Sequence, residues 1–431
     1  MRILLTGATG FIGRAVAQAL RGRGHAVVRA LRHPPPGAND AIAADFSGVP
    51  RRGWWVSHLA GIDAVVNTVG ILREQGGQSF RALHTEAPVE LFQACAAAGV
   101  RTVVQVSALG ADEGARSAYH RSKKAADDVL RSLPLAGAIV QPSLVYGPGG
   151  TSAALFNKLA VAPVLPFPQG GRMAVQPVHV DDVVQGIVRL VEEPPLSIAT
   201  LAFAGPQPLQ LREYLADLRE ALGEPRRQWV VAVPEGLFRS GASFAGHLPG
   251  SMLDAETADM LLAGNATQHN ALPELLGRPP RPPRDFVPAA ERELQRRAAV
   301  LDLWHPVLRL ALALMWIWTA IVSFGLYPVQ DSYALLARVG LQGALATVAL
   351  YGAAALDLVL GVLTLAAPAR WRRPVWLAQL ALIGGYTVLV TFFLPEYWLH
   401  PYGPISKNLP VLALIMLLWA LELPPRKEAR R

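Results

Sequence analysis

From residue 305 to 425 only ten of 121 residues carry a charge, against 62 of the other 310. No other feature constrains the chain so strongly. A helix needs about twenty apolar residues to cross a hydrocarbon core, and the run holds several such stretches. Residues 307–326 contain one charge, Arg309, near the edge. Residues 339–367 contain one acid, Asp357, and 375–394 contain no charge. Residues 409–423 are shorter and include Pro410. The pattern predicts an all-α bundle of four transmembrane helices over 305–425. A linker and juxtamembrane helix is expected over 291–304, and a soluble part over 1–290. Disorder, a collagen repeat and a small disulfide scaffold are excluded. A carboxylate inside a span is costly and normally faces a partner or cavity, so Asp357 is a candidate site residue.

The basic residues follow the spans. Arg292, Arg296, Arg297 and Arg309 precede or open the first, and Arg370, Arg372 and Arg373 separate the second from the third. Arg426, Lys427, Arg430 and Arg431 follow the fourth, while the other two loops offer only Arg338 and Lys407. Cationic loops stay in the cytoplasm. The expectation is a multi-pass protein of the inner membrane, with both termini and the soluble part cytoplasmic. The net charge of +8 is then membrane-flanking charge, so the lipid bilayer is an expected partner and nucleic acid is not. The start, MRILLTGATG, has too short an apolar run for a signal peptide. The single cysteine, Cys95, lies in an apolar helical run and allows no internal disulfide. No metal site is expected: Asp181 and Asp182 read as a helix N-cap and His179 as a structural contact. The Pro- and Arg-rich stretch GRPPRPPRDFVP at 277–288 reads as a stiff, extended link at a domain boundary.

The soluble part opens on a short apolar strand, 2–6. It runs into Gly7-Ala8-Thr9-Gly10-Phe11-Ile12-Gly13 and then into helical spacing over 14–21. Glycines three apart at a strand-to-helix turn let the backbone approach a pyrophosphate, whose charge rests on the helix N-terminus. Gly7, Thr9, Gly10, Phe11, Ile12 and Gly13 are therefore candidate cofactor contacts. The second strand, 26–31, carries Arg29 and is followed by Arg32, where an NAD site would place an acid for the ribose hydroxyls. These bases suit a 2′-phosphate, so NADP(H) is favoured over NAD(H). Asp45, after the third strand, is placed to meet the adenine. The fourth strand, 63–69, ends in Asn67-Thr68-Val69-Gly70, which brings Asn67 and Gly70 to the cofactor.

With these motifs the chain resembles the short-chain dehydrogenase/reductase superfamily in its extended and atypical branches, the NAD-dependent epimerase/dehydratase group. The resemblance rests on TGATGFIG at 6–13, VSALGAD at 106–112, Tyr119-His120-Arg121-Ser122-Lys123, QPSLVYGPG at 141–149 and PVHVDDV at 177–183, in that order. The stretch HTEAPVELFQACAAAGVRTVVQVSALGAD, followed by SAYHRSK, looks most like the subgroup with the nucleotide-binding accessory subunit of respiratory complex I. The implied fold is α/β: a Rossmann doubly wound parallel sheet with a small substrate lobe over 150–290. Tyr119 and Lys123 stand four apart and share a helix face. A nearby ammonium favours a phenolate, so Tyr119 is the expected acid or base, with Lys123 also holding the nicotinamide ribose. Ser107 is the candidate third catalytic residue, although the family's serine or threonine usually lies slightly further on. Pro142 and Val145 belong to the loop that passes the nicotinamide. His84 stands where extended members usually have Asn, and Gln141 where they often have Arg. These departures bear on turnover more than on nucleotide binding.

The last quarter resembles the DoxX-like four-helix membrane family, on LALMWIWTAIVSFGLYP, LYGAAALDLVLG, LIGGYTVLVTFFLPEYWLHPYGP and KNLPVLALIMLLWALE. Together the two resemblances imply a membrane-anchored NADP(H)-dependent oxidoreductase or isomerase acting on a lipophilic carbonyl or quinone-like substrate. The alternative is an NADP(H)-binding structural, assembly or redox-sensing protein of a membrane complex. A nucleotide-sugar epimerase is disfavoured, because a membrane half has no role in one.

Overall fold

A main sheet of seven strands organises the first part of the chain: β1 (Arg2–Thr6), β2 (Ala26–Leu31), β3 (Ala41–Ala43), β4 (Ala64–Asn67), β5 (Thr102–Val106), β6 (Ala136–Pro142) and β7 (Ile198–Phe203). β4 and β5 are buried at every residue, and β1 at all but its first. Strands that read as unbroken apolar runs are those covered on both faces, the condition of a parallel sheet. All pairings are parallel, in the order β7-β6-β5-β4-β1-β2-β3. The order reverses at β1, so the crevice beyond the carboxyl ends of β1 and β4 is where a doubly wound sheet takes its ligand. The computed structural model describes residues 1–246 and 254–422, in two compact units divided between Val300 and Leu301.

Alternate side chains feed two cores. Ile3, Leu5, Val66 and Val104 join Val16 and Leu20 of α1 (Phe11–Gly22). Leu4, Val65 and Val103 join Leu91 and Phe92 of α2 (Ala87–Ala98) and Ala126 and Leu130 of α3 (Ala118–Ser132). Helix α4 (Val180–Glu192) packs on the α1 side. Full burial of one such side chain contributes about 1.5–3 kcal/mol, which explains why the sheet tolerates a row of polar groups at its carboxyl end. In the smaller lobe Val164–Pro168 pairs in parallel with Trp229–Val233, and helices Glu235–Gly246 and Ala255–Ala263 follow.

Two local readings change. The aspartates do not cap α4; the cap is His179, whose Nδ1 accepts from the Asp181 amide at 3.2 Å. Asp181 and Asp182 instead hold the 277–288 stretch. Arg278 meets Asp182 at 2.6 Å, the Arg281 amide donates to Asp182 at 2.7 Å, and Arg281 pairs with Asp181 at 3.4 Å. Phe286 is buried and stacks on Tyr146 with ring centres 5.0 Å apart. The stretch is packed against the first unit rather than held off as an extended link. Composition alone did not show this, because the partners lie about a hundred residues away.

Beyond Leu301 the chain is helical. α5 (Arg292–Ile321) continues through a π-helical turn, Val322–Leu326, and is followed by α6 (Gly343–Ala366) and α7 (Ala369–Phe393). These three are long and apolar enough to cross a membrane. The fourth expected crossing is α8 (Asn408–Leu421), whose 14 residues fall short of that length. Such a helix extends about 21 Å against a core of about 30 Å. A further helix, Val329–Arg338, occupies what the sequence suggested as a loop. The spans turn large apolar residues outward, with Leu345, Val348 and Phe392 all about two-thirds or more exposed (68%, 70% and 77%). Such a surface suits lipid rather than water. Arg426, Lys427, Arg430 and Arg431 lie outside the described residues.

Candidate active site

The glycine-rich turn is a cradle that side chains would fill. Gly7 has φ +70, and a Cβ there would lie 2.6 Å from Thr68 Oγ1. A Cβ on Gly13 would lie 2.1 Å from the Gly7 carbonyl oxygen. Gly10 is the N-cap of α1 and offers no side-chain hydrogen bond, so the first-turn amides are uncapped by protein side chains. Ile12 is half-buried against the core, and the Phe11 ring lies under Gly147 and Gly150, where added Cβ atoms would come within 3.2 and 2.9 Å of it. This packing draws the loop after Pro142 and Val145 toward the turn that also carries Thr9. A dinucleotide pyrophosphate fits such a cradle.

The end of β2 is more heavily paired than its sequence suggests. Arg29 meets Asp40 at 2.8 Å, and Arg21 meets the other oxygen of the same carboxylate at 2.8 Å. Arg32 pairs with Asp45 at a looser 3.4 Å and is half-exposed. Asp45 also accepts from the Ser47 amide at 3.0 Å, capping a short turn. Asp40, in the Pro/Gly-rich loop after β2, was not singled out from sequence.

Register places Thr6 beside Asn67, and Asn67 beside Gln105. Their side chains form a ladder: Thr6 donates to Asn67, whose amide donates to Gln105 at 2.7 Å. Asn67 is fully buried and spends its side chain here and on the Val69 amide. Gly70 is different. A Cβ on it would sit 3.1 Å from Lys123 Nζ and 3.7 Å from His84 Nε2, so the loop passes close to both side chains.

Helix α3 brings Tyr119, Lys123 and Asp127 to one face, one turn apart. Lys123 is buried and donates to the carbonyls of Val69 at 3.1 Å and Val106 at 3.2 Å. Ser107 is also buried, and its hydroxyl donates to Asp127. The Gln105 side chain also acts on the Asp127 carboxyl. Tyr119 lies edge-on to His84 and Phe80, with ring centres 5.4 and 6.0 Å away, and its amide donates to Glu256 at 3.2 Å.

His84 ties these pieces together. It lies in a π-helical segment, Arg81–Glu86, and is fully buried; such bulges recur at functional sites. The Ile71 amide donates to Nε2 at 3.0 Å. A backbone amide only donates, so Nε2 is the bare nitrogen and Nδ1 carries the proton. Nδ1 then donates to Ser122 Oγ at 3.0 Å, and Ser122 donates to the Tyr119 carbonyl at 2.7 Å. The chain of bonds fastens the loop after β4 to the first turn of α3.

Burial governs the protonation states. It pushes the Tyr119 phenol up to about 12, aided by the negative charge of Asp127. It pulls the Lys123 ammonium down to about 8, against the pull of Asp127. It pushes the Asp127 carboxyl up to about 6, against the Ser107 hydrogen bond and the charge of Lys123. His84 is pulled down to about 2 by burial and by Lys123. The sequence led us to expect a phenolate favoured by Lys123; here burial and the charge of Asp127 both raise the phenol, and Lys123 is not among the groups that shift it. Tyr119 is protonated at neutral pH, the form that can give a proton to a carbonyl oxygen.

Residues 3–198 match the NAD dependent epimerase/dehydratase family, and 313–416 match the DoxX-like family. The chain is 30% identical over 256 residues to 3-diazoavenalumate denitrifying reductase of a Streptomyces species, covering 52% of this chain and 83% of that protein. The chain belongs to the NAD dependent epimerase/dehydratase family. It is 29% identical over 250 residues to ceramide reductase of Caulobacter vibrioides, covering 56% of this chain and 76% of that protein. Over 209 residues it is 28% identical to mouse NADH dehydrogenase [ubiquinone] 1 alpha subcomplex subunit 9, mitochondrial, covering 46% of this chain and 55% of that protein. The fold is also that of an NADPH-dependent quinone oxidoreductase from Escherichia coli solved with NADPH. There the identity is 18%, the TM-score 0.52, and the coverage 66% of this chain and 97% of the other. The glycine-rich turn at Gly7–Gly13 lies within the region matched to this family, which in this chain is followed by the DoxX-like region.

Sequence reasoning missed Asp127, Gln105 and Asp40. Asp127 had a readable signal, an acid four residues after Lys123 on an already identified helix face. Gln105 and Asp40 had none, since their roles depend on neighbours in other strands and loops.

Proposed function

We propose that the chain is a membrane-anchored, NADP(H)-dependent reductase of lipophilic carbonyl compounds. The observation that carries this is Tyr119, a protonated phenol on the same helix face as Lys123, with the loop Val69–Gly70 and the dinucleotide cradle at the same edge of the sheet. When bound, the reduced nicotinamide supplies hydride to the carbonyl carbon. Tyr119 gives its hydroxyl proton to the carbonyl oxygen, and the ammonium of Lys123 compensates the phenolate that remains. Lys123, held by two carbonyls, would also hold the nicotinamide ribose. The uncapped amides of α1 hold the pyrophosphate. Arg32, with its loose pairing to Asp45, is the residue for the 2′-phosphate, whereas Arg29 is engaged by Asp40. Arg32→Ala is expected to bring NADPH and NADH affinities together, measured by nucleotide fluorescence titration.

A multi-pass inner-membrane location, with the first unit and both termini cytoplasmic, completes the reading. It rests on the Arg clusters beside the spans. The domain limits in this reading are 1–290, 291–304 and 305–425. The related ceramide reductase supports a substrate that partitions into the bilayer. The test is NADPH consumption by the purified full chain with a long-chain ketone, a ceramide and a quinone. Consumption with at least one supports the proposal.

A second reading has its own observation. The Ser107 hydroxyl, the candidate for holding the substrate carbonyl, is engaged by buried Asp127. That favours an NADP(H)-binding structural or assembly protein, in keeping with the complex I relative. Tight NADPH binding without consumption under any of the three substrates would support it.

A further inference from the structure

One end of the second unit gathers cations from three helices. Arg309 of α5 donates to the Thr364 carbonyl at 2.5 and 3.1 Å and to the Leu365 carbonyl at 3.3 Å, at the end of α6. Arg372, near the start of α7, donates to the Ala367 carbonyl at 3.3 Å and pairs with Glu422, just after α8, at 3.3 Å. Arg373 lies over the Trp419 ring, 5.3 Å from its centre. Arg309, Arg372 and Glu422 are within electrostatic reach of one another. Among the described residues, Glu422 and Asp302 are the acids at this end, with His305 among them, against Arg309, Arg372 and Arg373. The Arg–carbonyl bonds satisfy the end of α6, which has orphan acceptors, but they do not cancel the surplus charge.

The same end holds hydrogen-bond donors with nothing to donate to. Trp376, one turn beyond Arg372 on α7, is 1% exposed, and its indole N–H has no partner among the described residues. The Trp419 indole N–H is also buried without one. A third indole of the same cluster shows what a satisfied donor looks like here: Trp316 donates to Gln379 at 2.9 Å. A buried donor without an acceptor costs about 1–3 kcal/mol, so two in one cluster need an explanation. Surplus cations and unused N–H groups ask for the same thing, an anion with several acceptor oxygens. Basic pockets between membrane helices at the bilayer interface bind lipid phosphates in this way.

We propose that this end of the helical bundle is a binding site for the phosphate of an anionic phospholipid. Arg372 and Arg373 supply charge, and the Trp376 and Trp419 indoles supply directed N–H donors. The acyl chains lie along the apolar outer faces of α7 and α8. Bound in this way, the lipid fixes the ends of α5, α7 and α8 together.

The test uses the full chain in nanodiscs of phosphatidylcholine, with or without phosphatidylglycerol, and reads the thermal unfolding midpoint and the lipid retained in native mass spectrometry. Phosphatidylglycerol is expected to raise the midpoint by several degrees and to remain bound. Trp376→Phe, which stays aromatic but loses the indole N–H along with the five-membered ring that bears it, is expected to lose part of that shift, and Arg372→Gln most of it. Glu422→Gln, which removes the acid paired with Arg372, is expected to increase retention. Equal midpoints in the two lipid compositions would overturn the proposal, as would a full shift in both Trp376→Phe and Arg372→Gln. A shift of the same size from inorganic phosphate on detergent-purified protein would overturn the lipid as the ligand.

Discussion

The two units bury polar groups in opposite circumstances. In the first, apolar residues fill both faces of the sheet, and polar side chains gather at one edge, where β1, β4, β5 and α3 meet. In the second, the outside is apolar, with Phe392 and Val348 turned outward, and each polar side chain inside is an exception that invites a reason. Asp357 is 4% exposed with one carboxylate oxygen unpartnered, and Gln379 is fully buried and bonds both Trp316 and Thr364. Polarity therefore marks function in the two units by different rules. In the first it matters where polar groups converge; in the second it matters that they are present at all.

The largest expected effect sharpens the first half of that contrast. Tyr119→Phe should lower turnover by about 10²–10⁴-fold, the usual contribution of a positioned acid. NADPH affinity should be unchanged, since the phenol contributes a proton rather than binding. Steady-state rates beside a fluorescence titration separate the two.

The second prediction tests the difference between the surfaces directly. Leu358→Arg, at a 39% exposed position in α6, should cost about 2.5–3.5 kcal/mol of membrane insertion. Leu196→Arg, at a fully exposed position in the first unit, should change stability by no more than about 0.5 kcal/mol. The fraction recovered in the membrane, and thermal melting, give the two numbers. Equal tolerance at both positions would break the comparison.

Gly13→Ala comes next. The added Cβ meets the Gly7 carbonyl at 2.1 Å, and overpacking of that kind costs about 1–3 kcal/mol. NADPH should bind about ten- to a hundredfold more weakly. Gly53, where an added Cβ meets nothing within 4 Å, is the control position.

The smallest effect concerns His84. Its folded-state pKa lies near 2, below the ordinary 6.5, so the unfolded chain binds the extra proton. Its contribution is fully present above pH 6.5 and is lost as pH falls toward 2. Asp127 acts in the opposite sense: its raised carboxyl adds stability as pH falls through 6 toward 3.8. His84→Asn isolates the first effect. Relative to the variant, wild type should lose about 1.4 kcal/mol per pH unit below about pH 6.5. Denaturant titrations between pH 7 and pH 5 measure the difference, and parallel curves would remove His84 from the account.

Much of this was legible in the sequence, and unevenly so. The strand–turn–helix at Arg2–Gly22 could be read because glycine spacing, helix start and strand are local. The Tyr119–Lys123 face could be read because four residues make one helical turn. The protonation of Tyr119 was not legible, because burial is a property of the assembled site, and it reversed the expected phenolate. Nor was the Asp182 grip on Arg278, which brings together residues 96 apart in sequence. Asn67 was read as a cofactor contact from its strand-end position; the register beside Gln105 spends its side chain inside the sheet. In the second unit, apolar runs announced the spans, but length in residues did not announce length as helix, and α8 is the shorter for it.

The central claim is that the first unit passes hydride to a carbonyl carbon held at Tyr119. It is tested most directly by supplying NADPH deuterated at the transferable position to the full chain in proteoliposomes containing a long-chain ketone, and weighing the product. The account expects a secondary alcohol carrying one deuterium on the former carbonyl carbon, absent with Tyr119→Phe. Tight nucleotide binding with no deuterium in any lipid product would contradict it.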